Sequence, residues 1–149
     1  MAFGYRYKLE RQKNGWCLVR FPGIPEALTE GETEEEARAN AVDCVITALE
    51  GYIKAGQPLP RHGAGHSGPD RAVLPSLVTA KLAVYETMRG RGWSKLKLAK
   101  ELGMPENSVR RLLDLRHRSH MWIIDEALKT MKAELPIDLP KARLRRKAA

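Results

Sequence analysis

The 149-residue chain has little of what several function classes require. Its two cysteines, Cys17 and Cys44, are too few and too far apart for a zinc knuckle, and nothing near them completes a ligand set. No apolar run is long enough to span a bilayer. The N-terminal MAFGYRYKLE has neither the hydrophobic core nor the cleavage site of a signal peptide, so the expected location is cytoplasmic. Carboxylates are scarce on the expected strands, where only Glu10 stands, whereas a metal-dependent nuclease needs several converging on Mg²⁺. His62 and His66 have metal-compatible spacing only in a helix, and Gly63, Gly65 and Gly68 argue against one. The expectation is a protein that is no enzyme and uses no metal or cofactor.

Charge is what the chain has in quantity, and it is unevenly divided. Residues 1–60 carry 7 Lys and Arg against 9 Asp and Glu, while residues 61–149 carry 19 against 9. The formal net charge of +8 therefore understates a basic excess confined to the second part. In the first part, Glu26, Glu30, Glu32, Glu34, Glu35 and Glu36 form an acidic segment that attracts a basic partner. A solvated helix start favours glutamate just as well.

Residues 95–114, KLKLAKELGMPENSVRRLLD, have the spacing of a helix-turn-helix. Ala99 is small where two helices cross, Gly103 supplies a left-handed turn, and Val109 and Leu112 face inward. Pro105 suits the first turn of the second helix. An ordinary helical hairpin would share these features. The outward residues favour a DNA reader: Glu106, Asn107, Ser108, Arg110 and Arg111, with Arg116 and Arg118 just beyond, include the types that read base edges and hold phosphates.

Around this motif, strands are expected at 5–11 and 16–21, joined through Asn14-Gly15, with a short third strand at 27–29. Thr33 and Glu36 form a capping box for a helix reaching about Gly56, with Ala37, Ala41, Cys44, Val45, Ala48, Leu49 and Tyr52 as its buried stripe. Residues 57–71 read as a loop or hinge, 72–74 as another strand, and Ser76 as the cap of a helix to about Arg89. Ser119 caps a last helix that Pro136 ends. Trp16, Trp93 and Trp122 read as core or domain-edge aromatics. The basic tail, 137–149, is expected to be disordered, either as a phosphate-binding arm or as a solubilising end.

The run WCLVRFPGIPEALTEGETEEEARANA, with Phe21-Pro22, Ile24-Pro25, Thr29, Gly31, Thr33, Glu36 and Ala37, resembles the HicB antitoxins of bacterial toxin–antitoxin pairs. The resemblance continues through Pro58-Leu59-Pro60, Val73-Leu74-Pro75 and Lys81 into the helix-turn-helix. It implies an α+β fold in which a partial RNase H-like β-sheet with one helix binds a small basic RNA-cleaving HicA-like toxin. An all-α phage-repressor-type helix-turn-helix domain follows, as opposed to the ribbon-helix-helix of another branch. Gly23 departs from the aspartate that many members carry, which removes one carboxylate from the toxin side.

The expected division is thus 1–75 for toxin binding, through Glu30, Glu32, Glu34 and Glu35, and 76–136 for operator DNA, with a homodimer as the default and a tetramer left open. A stand-alone regulator with a ligand-sensing N-terminal half is the alternative. An active nuclease is a weaker third.

Overall fold

The computed structural model describes residues 3–61, 70–137 and 139. It is an α+β structure in which a four-stranded antiparallel sheet and one helix precede a cluster of four helices.

Strands β1 (Gly4–Arg11) and β2 (Cys17–Arg20) form the expected hairpin. Gly15 closes it at φ 87°, a conformation that a side chain would disfavour. Asn14 Oδ1 accepts from the Trp16 amide at 3.0 Å. The third strand, β3 (Leu28–Gly31), begins one residue later than expected and runs to Gly31, because Ala27 is held in the preceding turn by its amide bond to the Ile24 carbonyl. Gly31 admits no side chain: a Cβ there would lie 2.4 Å from the Ala37 amide nitrogen.

Helix α1 (Glu34–Lys54) follows, with Thr33 Oγ1 accepting from the Glu36 amide at 3.1 Å. The reciprocal half of the box is displaced by one residue, since Glu36 Oε2 accepts from the Glu32 amide. Ala37, Ala41, Val45, Ile46 and Leu49 lie against Tyr5, Tyr7, Cys17, Val19 and Ala72 of the sheet. The expected loop is shorter than its composition implies: Asp70 and Arg71 already belong to β4 (Asp70–Val73), which pairs with β1 to give the order β3-β2-β1-β4. Asp70 is held by the Arg38 guanidinium of α1, which also donates to the Tyr7 hydroxyl.

Helix α2 (Ser76–Arg91) starts directly after Pro75, so Ser76 is its first residue and gives no side-chain cap. Two faces of α2 serve two cores. Val78 and Leu82 join the sheet cluster, while Ala80, Val84, Tyr85 and Met88 join the core of the helical half. Helices α3 (Lys95–Leu102) and α4 (Glu106–Leu113) complete that core with Leu98, Ala99, Val109, Leu112 and Leu113.

The last helix, α5 (Met121–Thr130), departs from expectation at both ends. His120 occupies the cap position, and Ser119 instead lies 3.2 Å from His117 Nδ1. The helix stops well before Pro136 because Lys132 turns left-handed at φ 55° and the Ala133 amide bonds back to the Leu128 carbonyl. Leu135 still packs on the core beyond that turn. Trp16 and Trp93 are half-buried, but Trp122 is 58% exposed and is no core residue. The chain holds no helix, among the described residues, long and apolar enough to cross a membrane.

Candidate functional site

The α3–α4 pair is built as its residues dictate. Ser94 Oγ accepts from the Lys97 amide to start α3, and Gly103 at φ 66° ends it with its amide bonded to the Lys100 carbonyl. Pro105 stands just before α4, in the cap position, and not within the first turn. Burial of Val109, Leu112 and Leu113 turns the opposite face of α4 outward. Asn107, Arg110 and Arg111 on that face are exposed, and Glu106 and Ser108 are half-buried. Glu106 Oε1 sits 3.2 Å from Arg110 Nη2, a one-turn pair that any phosphate or base would have to compete with. Arg118 is exposed beyond the helix end.

Arg116 behaves differently from its expected role at a phosphate. Its guanidinium turns back to α1, with Nη1 at 2.5 Å from Asp43 Oδ1, Nε at 3.3 Å from Glu50 Oε1, and Nη2 donating to Thr47 Oγ1 at 2.8 Å. Neighbouring Leu115 is buried in the sheet cluster, so the segment after α4 is fastened to the first half by both an apolar and a charged contact. Nothing local in the sequence marks this, because the partners lie about seventy residues away.

Lys81 of α2 belongs to the stretch that carries the family resemblance, but its role is not assigned there, although a lysine within an otherwise apolar helix stripe is itself a signal. Its side chain is fully buried, and Nζ donates to the Arg111 carbonyl at 2.9 Å and the Asp114 carbonyl at 2.6 Å. These carbonyls close the C-terminal end of α4, each also meeting a longer amide contact, from Asp114 and His117 respectively, and a cation there complements the helix dipole. Burial lowers the Lys81 pKa from its usual value, and the Asp114 carboxylate partly opposes that shift. Lys81 thereby fixes the C-terminal end of the helix that carries Arg110 and Arg111.

On the other half, Glu30, Glu32, Glu34 and Glu35 are all exposed around the end of β3 and the start of α1. Glu34 Oε1 lies 3.7 Å from Arg11 Nη2, and the Glu30 carbonyl accepts from Asn40 Nδ2 at 3.0 Å. The fold therefore brings the four glutamates to one acidic end.

The strand carboxylates number more than expected, since Glu30 and Asp70 join Glu10, yet they do not converge. Glu10 and Glu30 lie two strands apart across Leu18, and Asp70 is engaged by Arg38. Among the described residues no three His, Cys, Asp or Glu side chains are placed to hold a metal. His62 and His66 lie outside the described residues. Cys17 is a buried free thiol and Cys44 a half-buried one. A cleft of about 820 Å³ opens between β1, α2 and the chain after α5, lined by Phe3, Tyr5, Leu59, Leu82 and Ile137, with Arg61 and Glu86 also on its wall.

The fold is thus an α+β protein with an acidic end on its small sheet and an outward Asn/Arg face on a short helix. Residues 3–83 match the family described as the HicB_like antitoxin of bacterial toxin-antitoxin systems, and the chain belongs to that family. Antitoxin HicB 1 of Photorhabdus laumondii is 31% identical over 91% of this chain and 86% of its own length. Antitoxin HicB of Pseudomonas fluorescens is 31% identical over 93% of this chain and 96% of its own. The HicB antitoxin of Escherichia coli K12 is 29% identical over 89% and 96% respectively.

Proposed function

We propose that this protein is an antitoxin that neutralises a small, basic, RNA-cleaving HicA-like toxin through its sheet half and represses its own operon through α3 and α4. The observation that carries this reading is likeness to HicB antitoxins along nine tenths of the chain, with no large part of either protein left over. The sheet half, with the partial RNase H-like fold that the resemblance implies, presents Glu30, Glu32, Glu34 and Glu35 to the toxin. Its contribution is steric and electrostatic; no chemical step is assigned to it.

The α3–Gly103–α4 unit acts as a helix-turn-helix, with α4 in the major groove. Asn107, Arg110 and Arg111 reach bases, Glu106 and Ser108 flank them, and Arg118 holds phosphate. A homodimer in the cytoplasm matches two half-sites of operator DNA, and the exposed Trp122 and Met121 at the start of α5 support an apolar contact between copies. The reading is tested by co-expression with the basic protein encoded beside it. Growth is rescued if the two form a toxin–antitoxin pair, and failure of the soluble full-length chain to rescue overturns the proposal. The cleft beside Tyr5 favours the second reading, a ligand-sensing regulator, and growth rescue separates the two.

A further inference from the structure

Helix α1 meets β3, at the edge of the sheet, along a groove of about 460 Å³. Asn40, Asp43, Cys44 and Thr47, three and four residues apart on one face of α1, form one wall; Leu28 and Glu26 of the preceding turn form the other. The strand edge is met here by a side chain of the helix, since Asn40 Nδ2 donates to the Glu30 carbonyl at 3.0 Å. Leu28 stands 53% exposed at the lip. Charge in the groove is of one sign: Glu26 and Asp43 are exposed on facing walls, and none of the described residues that line it is Lys or Arg. The chain itself shows what this helix face binds. Asp43 and Thr47 already hold a guanidinium, that of Arg116, with Glu50 as its third partner. The Arg116 side chain is 46% exposed and that of Asp43 67%, so this tie lies in water, where an ion pair contributes little and one cation can replace another.

Given the reading of the sheet half as toxin-binding, on which this rests, we propose that the groove receives an arginine or lysine side chain of the basic toxin, and that the incoming cation takes Asp43 and Thr47 from Arg116. A long cationic side chain fits by chemistry, with its methylenes along Leu28 and Ala48 and its head between Glu26 and Asp43. Position fits as well. Glu30 adjoins the groove through Asn40, so the acidic end at the start of α1 continues along β3 into the groove as one surface. Nucleic acid is repelled by both walls. Leu115 is buried in the sheet cluster on its own account, so loss of the Arg116 tie loosens the two halves without parting them. Toxin capture thereby reaches the segment directly after α4.

Cys44 on the groove wall is a half-buried free thiol and Cys17 a buried one, so alkylation at Cys44 reports on the groove. Iodoacetamide labelling of Cys44 in the full-length protein, followed by mass spectrometry, should slow several-fold once the basic protein encoded beside it is bound. Affinity for that protein should fall in the Glu26→Gln/Asp43→Asn variant. It should rise about 1.5-fold to 5-fold in Arg116→Gln, which removes the competitor, a gain set by the strength of an exposed ion pair. Adding Asp43→Asn to Arg116→Gln should abolish that gain, whereas a merely structural Arg116 gives no gain at all. Failure of the two proteins to associate overturns the toxin reading and the groove with it. Association that leaves Cys44 equally reactive overturns the groove alone, and an unchanged or lower affinity in Arg116→Gln overturns the exchange. Protection of Cys44 by rising concentrations of the chain itself assigns the groove to a second copy and also overturns the proposal.

Discussion

Single side chains decide how firmly α4 is presented. Lys81 donates to two carbonyls at the end of that helix, and Lys81→Met keeps the volume while leaving them only the longer amide contacts from Asp114 and His117. The expected cost is about 1–3 kcal/mol, read from denaturant melts, together with weaker operator binding. The pH dependence has a definite sign. Burial lowers the folded-state pKa, so just below the usual lysine value the unfolded chain binds more protons than the folded one, and parental stability rises with pH through that window; the Met variant should lose this rise. Arg110 and Arg111 are expected to specify sequence: replacing either with Ala should relax preference at one base pair by about 1–3 kcal/mol, measured by operator titration. Arg118→Ala should instead weaken operator and unrelated DNA alike. The inward and outward residues of α4 were legible because Gly103, Val109 and Leu112 follow helical spacing around a left-handed turn. Lys81 and Arg116 were not, since their partners are carbonyls and side chains that only the folded chain brings near.

At the level of elements, the acidic start of α1 does two jobs that sequence alone cannot separate. Glu34, Glu35 and Glu36 favour the positive end of the helix dipole, and they also give the sheet half its negative end. Reversal of Glu34 and Glu35 to Lys should slow toxin association more than it hastens dissociation, seen as a lower on-rate at low salt that converges with the parent at high salt. Turns signalled by Asn-Gly and by a Thr cap were readable in advance, because those residues carry their own local hydrogen bonds or backbone freedom. The end of α5 was not: Lys132 adopts a left-handed conformation that its residue type does not advertise, and the apolar spacing through Leu135 continues past the break because Leu135 returns to the same core. The edge strand β4 was read short for a related reason, since Asp70 and Arg71 look like loop residues until β1 supplies their pairing.

At the level of the whole molecule, α2 belongs to both cores, and Leu115 and Arg116 return from the helical half to the sheet and α1. The two halves should therefore unfold together. Leu82→Ala, which opens space in the sheet core, should cost about 2–4 kcal/mol. Trp16 reports on the sheet and Trp93 on the helices. In single-tryptophan versions the two signals should fall at one denaturant midpoint, before and after the change; separated midpoints would mean that the halves melt independently. The charge division between halves was plain from composition. Sharing of a helix was not, because the stripes Val78/Leu82 and Ala80/Val84/Met88 read as one broad apolar face until two cores claim them.

The direct passage from β4 through Pro75 into α2 bears on how such proteins diversify. A recombination that grafts a different DNA-reading module onto this sheet would, if cut at Pro75, strip Val78 and Leu82 from the core it leaves behind. A cut at Gly92, where the chain already turns left-handed and exposed, would leave Val78 and Leu82 in that core but would still take Leu115 out of it, so neither junction separates the halves without loss.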